Sequence, residues 1–192
     1  MIRNIWAVGR NYSEHAAELG NPVPQQPMIF LKAGTSAVFG HQFELPTWSE
    51  RVDHELELAF KFDEQLQLSH WALALDLTER VQQTRLKSQG LPWTLAKSFT
   101  GSCPISDFAP VGKTNLASGR IELLVNGKSR QLGDLSQMIF PIEKLRSYVL
   151  AHFPVVEGDL LLTGTPAGVG PLSKGDHLEA FIADRSWHWK VL

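Results

Sequence analysis

The sequence is short of the features that mark several large classes of protein. It contains a single cysteine, Cys103, so an internal disulfide framework is excluded and a reducing compartment is expected. Its formal net charge is only −2, which provides no basic surplus to attract nucleic acid or an acidic membrane surface. No apolar run is long enough to span a membrane, and Arg10 interrupts the first apolar stretch before a signal-peptide core could form. We therefore expect a cytoplasmic protein with no membrane or nucleic-acid partner.

The residues that are present predict one globular domain built mainly from strands. Hydrophobic residues make up 43% of the chain, enough for one substantial core, and we expect residues 1–192 to form a single domain. Short β-type runs alternate with turns rich in glycine and proline, and RIELLVNGKSRQ predicts a hairpin. Helical spacing is confined to NYSEHAAELG, the residues after about Asp76 in ALALDLTERVQQTRLK, and MIFPIEKLRSYVLAHF, while LPWTLAKSFTGSCPISDFAP is expected to be a loop. The pattern favours a mostly β, α+β, barrel-like fold over a doubly wound α/β sheet.

Two carboxylates stand where the clearest strand pattern would place apolar side chains. Residues i and i+2 of a strand share a face, so Glu55 and Glu57 of VDHELELAFKF should lie side by side. On an enclosed face they need protonation, basic partners or a divalent cation, whereas on a solvated face they need none. Asp76 interrupts the apolar run ALALDLT and is either a third acid of the same group or the cap of the following helix. Three such acids favour Mg²⁺ or Mn²⁺, with Ca²⁺ as a further alternative, over structural Zn²⁺.

Further candidate groups lie in three other motifs. In NYSEHAAELG, His15 and Glu18 are spaced to meet on a helix, either as a general base with its orienting carboxylate or as an ordinary surface pair. Lys97 in PWTLAKSF either faces a developing oxyanion or is an exposed loop lysine. Thr165 lies in TGTPAGVG, which either turns amide and hydroxyl groups toward an anion or forms a plain turn. Cys103 has no basic neighbour and is expected to be inert.

Six separated motifs together resemble the fumarylacetoacetate hydrolase family, and most of all its small single-domain branch of acylpyruvases and oxaloacetate decarboxylases. The motifs run in order from about Ile5 to Asp176: VGRNYSEHAAELGN, VDHELELA, LDLTERVQQ, GLPWTLAKSFTGSCPIS, VNGKSRQ and GDLLLTGTPAGVGPLSKGD. The resemblance implies a mixed β-roll fold, a homodimer, a short N-terminal lid segment at about residues 1–25, and a bound Mg²⁺ or Mn²⁺. The metal ligands that it implies are Glu55, Glu57 and Asp76.

The resemblance also assigns roles to six other residues. They are His15, Glu18 and Lys97 for catalysis, and Arg10, Gln83 and Thr165 for binding the substrate. The chain departs from the family pattern at Val81, where the family has aspartate, and at Thr100 in KSFTGS, and the segment between Glu57 and Asp76 is shorter than usual. These departures bear on substrate choice, loop closure and dimer packing, while the implied ligands and base are unchanged.

The function implied by the resemblance is that of a metal-dependent hydrolase. It would cleave a C–C bond in acylpyruvate-type β-diketo acids and could also decarboxylate oxaloacetate, so the expected partner is a small 2-oxo acid. One alternative is an isomerase or hydratase of 2-hydroxydienoate intermediates in aromatic catabolism. The other is a family member that binds metal without turnover.

Overall fold

The computed structural model describes residues 1–18, 20, 22–112, 116 and 119–192. Strands form most of the regular structure in these ranges, as expected. In chain order they are β1 (Asn4–Gly9), β2 (Met28–Ala33), β3 (Ala37–Phe39), β4 (Gln42–Phe43), β5 (Val52–His54), β6 (Leu56–Phe62), β7 (Leu68–Leu75), β8 (Thr78–Glu79), β9 (Cys103–Ile105), β10 (Ala109–Pro110), β11 (Arg120–Val125), β12 (Lys128–Asp134), β13 (Leu160–Leu162), β14 (Gly170–Pro171), β15 (His177–Ile182) and β16 (Arg185–Val191). The α-helices are α1 (Ser13–Glu18), α2 (Arg80–Ser88), α3 (Thr94–Lys97) and α4 (Ile142–His152).

The strands form three sheets. The largest has the order β2-β1-β13-β6-β7-β9-β3, with β10 paired to β7. It is mixed, because β1 pairs with β13 and β3 with β9 in parallel, whereas β6 and β7 are antiparallel. A second sheet has the order β12-β11-β15-β16-β4, and a small third one has the order β14-β5-β8. The expected mostly β, α+β fold is confirmed.

The central strands of the large sheet are buried on both faces. One face contributes Leu56, Leu58 and Phe60 to the main core, which also receives apolar side chains from the second sheet. Side chains on the opposite face, including Ala59 and Leu160, belong to a second, smaller apolar cluster. Strands covered on both sides read as continuous apolar runs instead of alternating ones. The solvated face considered for Glu55 and Glu57 is therefore wrong, because both side chains are buried.

Local sequence patterns predicted the β11–β12 hairpin correctly, but the prediction of a loop over residues 91–110 was wrong. The β11–β12 hairpin turns at Asn126 and Gly127, both with positive φ, as an Asn-Gly turn requires. The segment expected to be a loop instead contains α3, β9 and β10. Because α3 is a single turn, its hydrophobic spacing is too short to show a helical period.

No helix in the described ranges is long and apolar enough to cross a membrane.

The fold brings several chain segments to one cleft. The segments are the end of β1 with α1, strand β2, the β5–β6 junction, the residue after β7, the first turns of α2, helix α3 and the loop after β13. The cleft holds about 410 Å³ of empty space, including the part open to solvent.

Candidate active site

Three carboxylates meet in this cleft. Glu55 lies between β5 and β6, Glu57 is on β6, and Asp76 directly follows β7. The antiparallel pairing of β6 with β7 places Asp76 opposite Glu55, and the Asp76 N–H donates to the Glu55 carbonyl at 2.8 Å. One oxygen from each carboxylate lies within 4.8 Å of the others, and all three residues are at most 5% exposed. The structure thus brings together the three acids that the sequence singled out.

Basic side chains surround the three acids. The Lys97 ammonium donates to Glu55 at 2.8 Å and also to Asp76, and it is buried. Lys32, on β2, donates to the other Asp76 oxygen at 2.6 Å, and the Arg80 guanidinium donates to the other Glu55 oxygen at 2.7 Å. The alternative of an exposed loop lysine at Lys97 is therefore wrong.

The sequence did not predict the roles of Lys32 and Arg80. A signal was present for the first, since Lys32 stands inside the apolar stretch MIFLKA, where a charged side chain requires a buried partner. Arg80 opens α2, and its position gave no indication that it would turn back onto β5 and Glu55.

Burial and neighbouring charges shift the pKa values of Glu57, Glu55 and Lys97, and not all in the same direction. Burial raises the pKa of Glu57 well above its usual value, and the nearby Asp76 and Glu55 charges raise it further. Burial would also raise the pKa of Glu55, but Lys97 and Arg80 outweigh it and hold that pKa well below its usual range. Burial would lower the pKa of Lys97, but Asp76 and Glu55 raise it. Glu57 is thus the acid whose negative charge the protein compensates least.

The donors in the cleft fit a hard divalent cation. Each oxygen of Glu55 and Asp76 already accepts a hydrogen bond from a basic side chain, and a carboxylate oxygen has a second lone pair for a metal. Glu57 has the Gly164 N–H as a donor at 2.7 Å to one oxygen. An all-carboxylate set whose least compensated member is Glu57 suits Mg²⁺, Mn²⁺ or Ca²⁺ better than Zn²⁺.

Helix α1 presents a histidine to the same cleft. His15 is only 4% exposed, and its Nδ1 lies 3.1 Å from a Glu18 oxygen. The other Glu18 oxygen accepts the Gly168 N–H at 3.0 Å, so the carboxylate also ties α1 to the loop after β13. An ordinary surface pair is therefore wrong for His15. Because Nδ1 faces a carboxylate, it carries the proton and Nε2 is the basic nitrogen.

The three residues implied for substrate binding also line the cleft. Gln83 accepts a hydrogen bond from Arg80 at 2.7 Å, which fixes its amide orientation. Thr165 donates its hydroxyl to the Leu56 carbonyl at 2.8 Å. Arg10 follows β1 in a left-handed backbone conformation, with φ of 59°. Their placement agrees with the implied roles, which remain predictions.

A buried glutamine that sequence analysis missed supports Thr165. The Gln131 Oε1 accepts from the Leu56 N–H at 2.9 Å and contacts the His54 Nδ1 at 2.9 Å. Its Nε2 donates to the Thr165 hydroxyl at 2.7 Å and to the Pro166 carbonyl at 2.9 Å. The hairpin pattern gave no signal for this amide, because its partners lie on distant strands.

Helix α2 is capped by Glu79, not by Asp76. The Glu79 carboxylate accepts from the Gln82 N–H at the start of α2 and from the backbone N–H groups of Glu50 and Arg51, each at 3.1 Å. The capping alternative for Asp76 is therefore wrong. The sequence did not predict this cap, because glutamate is not among the residues preferred at helix N-caps.

Two of the three departures from the family pattern, the residues at positions 81 and 100, lie outside the cleft. Val81 and Thr100 are exposed, and neither lines it. Cys103 is buried, and its burial raises the thiol pKa to about 12, consistent with an inert packing role.

The fold and the cleft define a class of protein: a mixed β-sheet protein with a buried carboxylate cluster of metal-binding type beside a histidine–glutamate pair. The family model of the fumarylacetoacetate (FAA) hydrolase C-terminal domain matches residues 4–186, and the chain belongs to this family.

Related proteins are similar over nearly their whole length. The mitochondrial oxaloacetate tautomerase of Homo sapiens is 42% identical over 192 residues, covering 94% of this chain and 87% of that protein. The mitochondrial oxaloacetate decarboxylase of Dictyostelium discoideum is 38% identical over 193 residues, covering 94% and 88%. A crystal structure of the fumarylpyruvate hydrolase of Pseudomonas aeruginosa with Mn²⁺ and pyruvate superposes with a TM-score of 0.93. It is 29% identical and covers 100% of this chain and 90% of that one. These relatives are enzymes that act on small molecules.

Proposed function

We propose that the protein is a divalent-cation-dependent enzyme that hydrolyses a C–C bond in acylpyruvate-type 2-oxo acids and also decarboxylates oxaloacetate. The observation that carries the proposal is the buried cluster of three carboxylates beside Lys97, in a cleft that also contains the His15–Glu18 pair. The names of the related oxaloacetate decarboxylase and fumarylpyruvate hydrolase support the same class of substrate.

In this proposal Glu55, Glu57 and Asp76 hold Mg²⁺ or Mn²⁺. When bound, the cation supplies positive charge that draws electron density from the carboxylate and 2-oxo group of the substrate. Lys97 adds a fixed positive charge from the protein next to the same oxygens. Gln83 orients the substrate with its side-chain amide. Thr165 orients it with backbone groups, because the Thr165 hydroxyl already donates its proton to the Leu56 carbonyl.

For hydrolysis, His15 acts as the general base. Its Nε2 takes a proton from water, the water oxygen adds to the distal carbonyl carbon, and the bond between that carbon and the methylene carbon breaks. The bonding electrons leave with the pyruvate fragment, whose negative charge Lys97 faces, and His15 returns the proton to its methylene carbon. Glu18 holds the imidazole and stabilises its protonated form. Decarboxylation breaks a C–C bond without attacking water, so it does not require this base.

The difference between the two reactions provides the test. In His15→Ala, the rate of acetylpyruvate hydrolysis should fall by about 10²–10⁴-fold, while oxaloacetate decarboxylation should fall much less. Purified protein with Mg²⁺ or Mn²⁺ is assayed for acetate release and for CO₂ release. The control is His70→Ala, because His70 is exposed and outside the cleft. Equal losses of both activities in His15→Ala would contradict the assignment of the base.

A second candidate function is proton transfer, as in an isomerase of 2-hydroxydienoates or a tautomerase. The buried His15–Glu18 pair favours it, since a base that takes a proton from water can also move one between carbon and oxygen. The related oxaloacetate tautomerase bears a name of this class. Exchange of the oxaloacetate methylene protons with deuterated water, followed by NMR, separates proton transfer from C–C cleavage. A protein that binds the cation and catalyses none of these reactions would be the family member without turnover.

The same proposal includes a homodimer, a single domain over residues 1–192 and a cytoplasmic location. Two related proteins are named as mitochondrial, and that location is theirs. The lid segment expected at about residues 1–25 does not include β1, because β1 is an inner strand of the large sheet, so among the described residues we propose α1 as the lid.

A further inference from the structure

A second cavity lies outside the candidate active site. It is lined by the end of β5, by the turn of the β11–β12 hairpin with the residues that follow it, and by the segment between β13 and β15. It holds about 1040 Å³ of empty space, including the part open to solvent. None of its lining residues also lines the cleft, so a ligand bound in this cavity would not be the substrate.

His54 reaches this cavity from β5, although it is only 2% exposed. Its Nδ1 lies 2.9 Å from the Gln131 Oε1. The orientation of this amide is fixed, because its Nε2 donates to the Pro166 carbonyl at 2.9 Å, and the Oε1 can only accept. The Nδ1 of His54 therefore carries the proton. Its Nε2 has no hydrogen-bond partner in the described part of the chain.

The strand beside β5 leaves the imidazole of His54 uncovered. Gly170, on β14, is the cross-strand partner of His54 and has no side chain. A Cβ at position 170 would lie 3.5 Å from the Nε2 of His54, which is an ordinary contact distance. The preceding loop packs closely on β12, because Gly168 lies against the Arg130 carbonyl with no room for a Cβ. The Nε2 thus faces the cavity from a closely packed wall.

Arg130 is the basic residue of this cavity among the described residues. Its side chain forms no ion pair within the described ranges. Burial lowers the pKa of His54 and the Arg130 charge also lowers it, which agrees with a guanidinium near the imidazole. Asp176, the acid of the cavity, already accepts from the Asn126 amide at 2.8 Å and the Ser173 N–H at 2.7 Å. A guanidinium that donates and an imidazole nitrogen that accepts are left for a ligand.

We propose that Arg130 and the Nε2 of His54 bind a protonated phosphate group, as inorganic phosphate or as the phosphate end of a small monoester. A guanidinium matches the geometry of phosphate oxygens. Phosphate also keeps an O–H near neutral pH, and this O–H can donate to the Nε2, whereas fully ionised sulfate has none. A metal ion at the Nε2 is disfavoured, because the Arg130 charge repels it. The inference goes beyond the proposed function and does not rest on it.

Phosphate and sulfate form a matched pair for the test, because they are similar in size and shape and differ in the proton. Calorimetric titration of the purified protein is done at about pH 6, where about half of a monoester keeps its proton. Phosphate or glycerol 3-phosphate should bind at least about tenfold more tightly than sulfate, the effect of one hydrogen bond to a charged group. Tighter binding of glycerol 3-phosphate would identify a monoester as the ligand, and tighter binding of inorganic phosphate would identify the free ion.

Variants on the two sides of the cavity locate the binding. Gly170→Ala places a methyl group over the Nε2 without a clash and outside the left-handed region, so the protein should fold while its phosphate affinity falls about tenfold or more. Arg130→Gln should cause a similar loss. Lys128→Gln, exposed on the same strand and outside the cavity, is its control, and Lys87→Gln, in the cleft, should leave phosphate binding unchanged.

NMR of the histidine ring nitrogens gives a second readout. Phosphate should shift the Nε2 resonance of His54 in the wild type and not in Gly170→Ala. Equal affinity for phosphate and sulfate would show that the Nε2 accepts no proton from the ligand, and it would overturn the inference. Absence of phosphate binding by the wild type would do the same. A loss of phosphate binding in Lys87→Gln but not in Gly170→Ala or Arg130→Gln would place the anion in the cleft and also overturn the inference.

Discussion

Single side chains in this cleft act through hydrogen bonds whose partners are far apart in the sequence, and Gln131 is the clearest case. Leucine has a similar size, but Gln131→Leu would leave the Leu56 N–H and the Pro166 carbonyl without these partners. We expect the free energy of unfolding to fall by about 2–4 kcal/mol, since each unsatisfied buried group costs about 1–3 kcal/mol. Urea denaturation measures the change. Gln42→Leu, at an exposed strand position, is the control and should change the stability little.

Gln131→Leu also tests whether the hydrogen bonds of Gln131 only position Thr165 or stabilise the whole fold. Thr165 would keep its bond to the Leu56 carbonyl but lose the Gln131 donor that fixes its hydroxyl oxygen. If Gln131→Leu had the same free energy of unfolding as the wild type, the four hydrogen bonds of the Gln131 side chain would not stabilise the fold, contrary to this prediction.

The difference between predicted and overlooked residues follows from where their partners lie. Glu55 and Glu57 are two residues apart in one predicted strand, and His15 and Glu18 are three apart in one predicted helix, so local geometry predicts that each pair meets. Gln131 meets Leu56 across 75 residues, and Lys32 meets Asp76 across 44. No local periodicity encodes such contacts. The resemblance to a family located the carboxylate cluster and Lys97, but it did not identify Lys32 and Arg80, the two other bases that compensate the cluster.

At the scale of elements, α1 is a short helix with few means of holding its position. A six-residue helix is unstable in isolation, so it depends on contacts with the rest of the protein. Glu18 supplies one of them, since it accepts the Gly168 N–H in the loop after β13, and it also contacts His15 within the helix. The Glu18 carboxylate thus links the orientation of His15 to the position of α1 against the loop after β13.

This double role predicts different effects for two neighbouring substitutions. Glu18→Ala should lower hydrolysis and also increase amide hydrogen exchange in α1, because the tie to Gly168 is lost. His15→Ala should lower hydrolysis while α1 keeps its protection from exchange, because that tie remains. Hydrogen exchange measured by mass spectrometry compares both variants with Glu14→Ala, an exposed residue of the same helix, as control. Equal exchange in all three variants would show that Glu18 does not hold α1 in place.

Elements with a strong local signal were predicted well, and those fixed by neighbours were not. The Asn-Gly hairpin and helix α4 follow from turn chemistry and from a periodic run that begins after Pro141. Strand β5 ends at His54 and β6 begins at Leu56, which the continuous alternation of VDHELELAFKF does not show. The break arises because β5 pairs with β8 and β14 in a separate small sheet, a matter of tertiary structure.

For the whole molecule, a bound cation should couple stability to metal concentration. Glu55, Glu57 and Asp76 come from separate strands and strand ends, so they converge only in the folded chain. A ligand that binds only the folded state stabilises it by about 2.7 kcal/mol at a free concentration 100 times its Kd. Mg²⁺ or Mn²⁺ should therefore raise the Tm, and Glu57→Gln should reduce that increase. The opposite result, no Tm increase in the wild type, would contradict metal binding at these acids.

The pH dependence of this stabilisation is set by Glu57. Its folded pKa is raised, so without metal the folded state holds a proton that the unfolded chain has already released. Stability of the metal-free protein contributed by this proton is present at low pH and is lost as the pH rises through the folded pKa of Glu57. A cation must displace the same proton, so its affinity should rise over that pH range. Calorimetric titration over a pH series should show tighter binding and less proton release at higher pH, and Glu57→Gln should remove most of the trend. An affinity for Mg²⁺ that is independent of pH in the wild type would mean that Glu57 is not the protonated ligand.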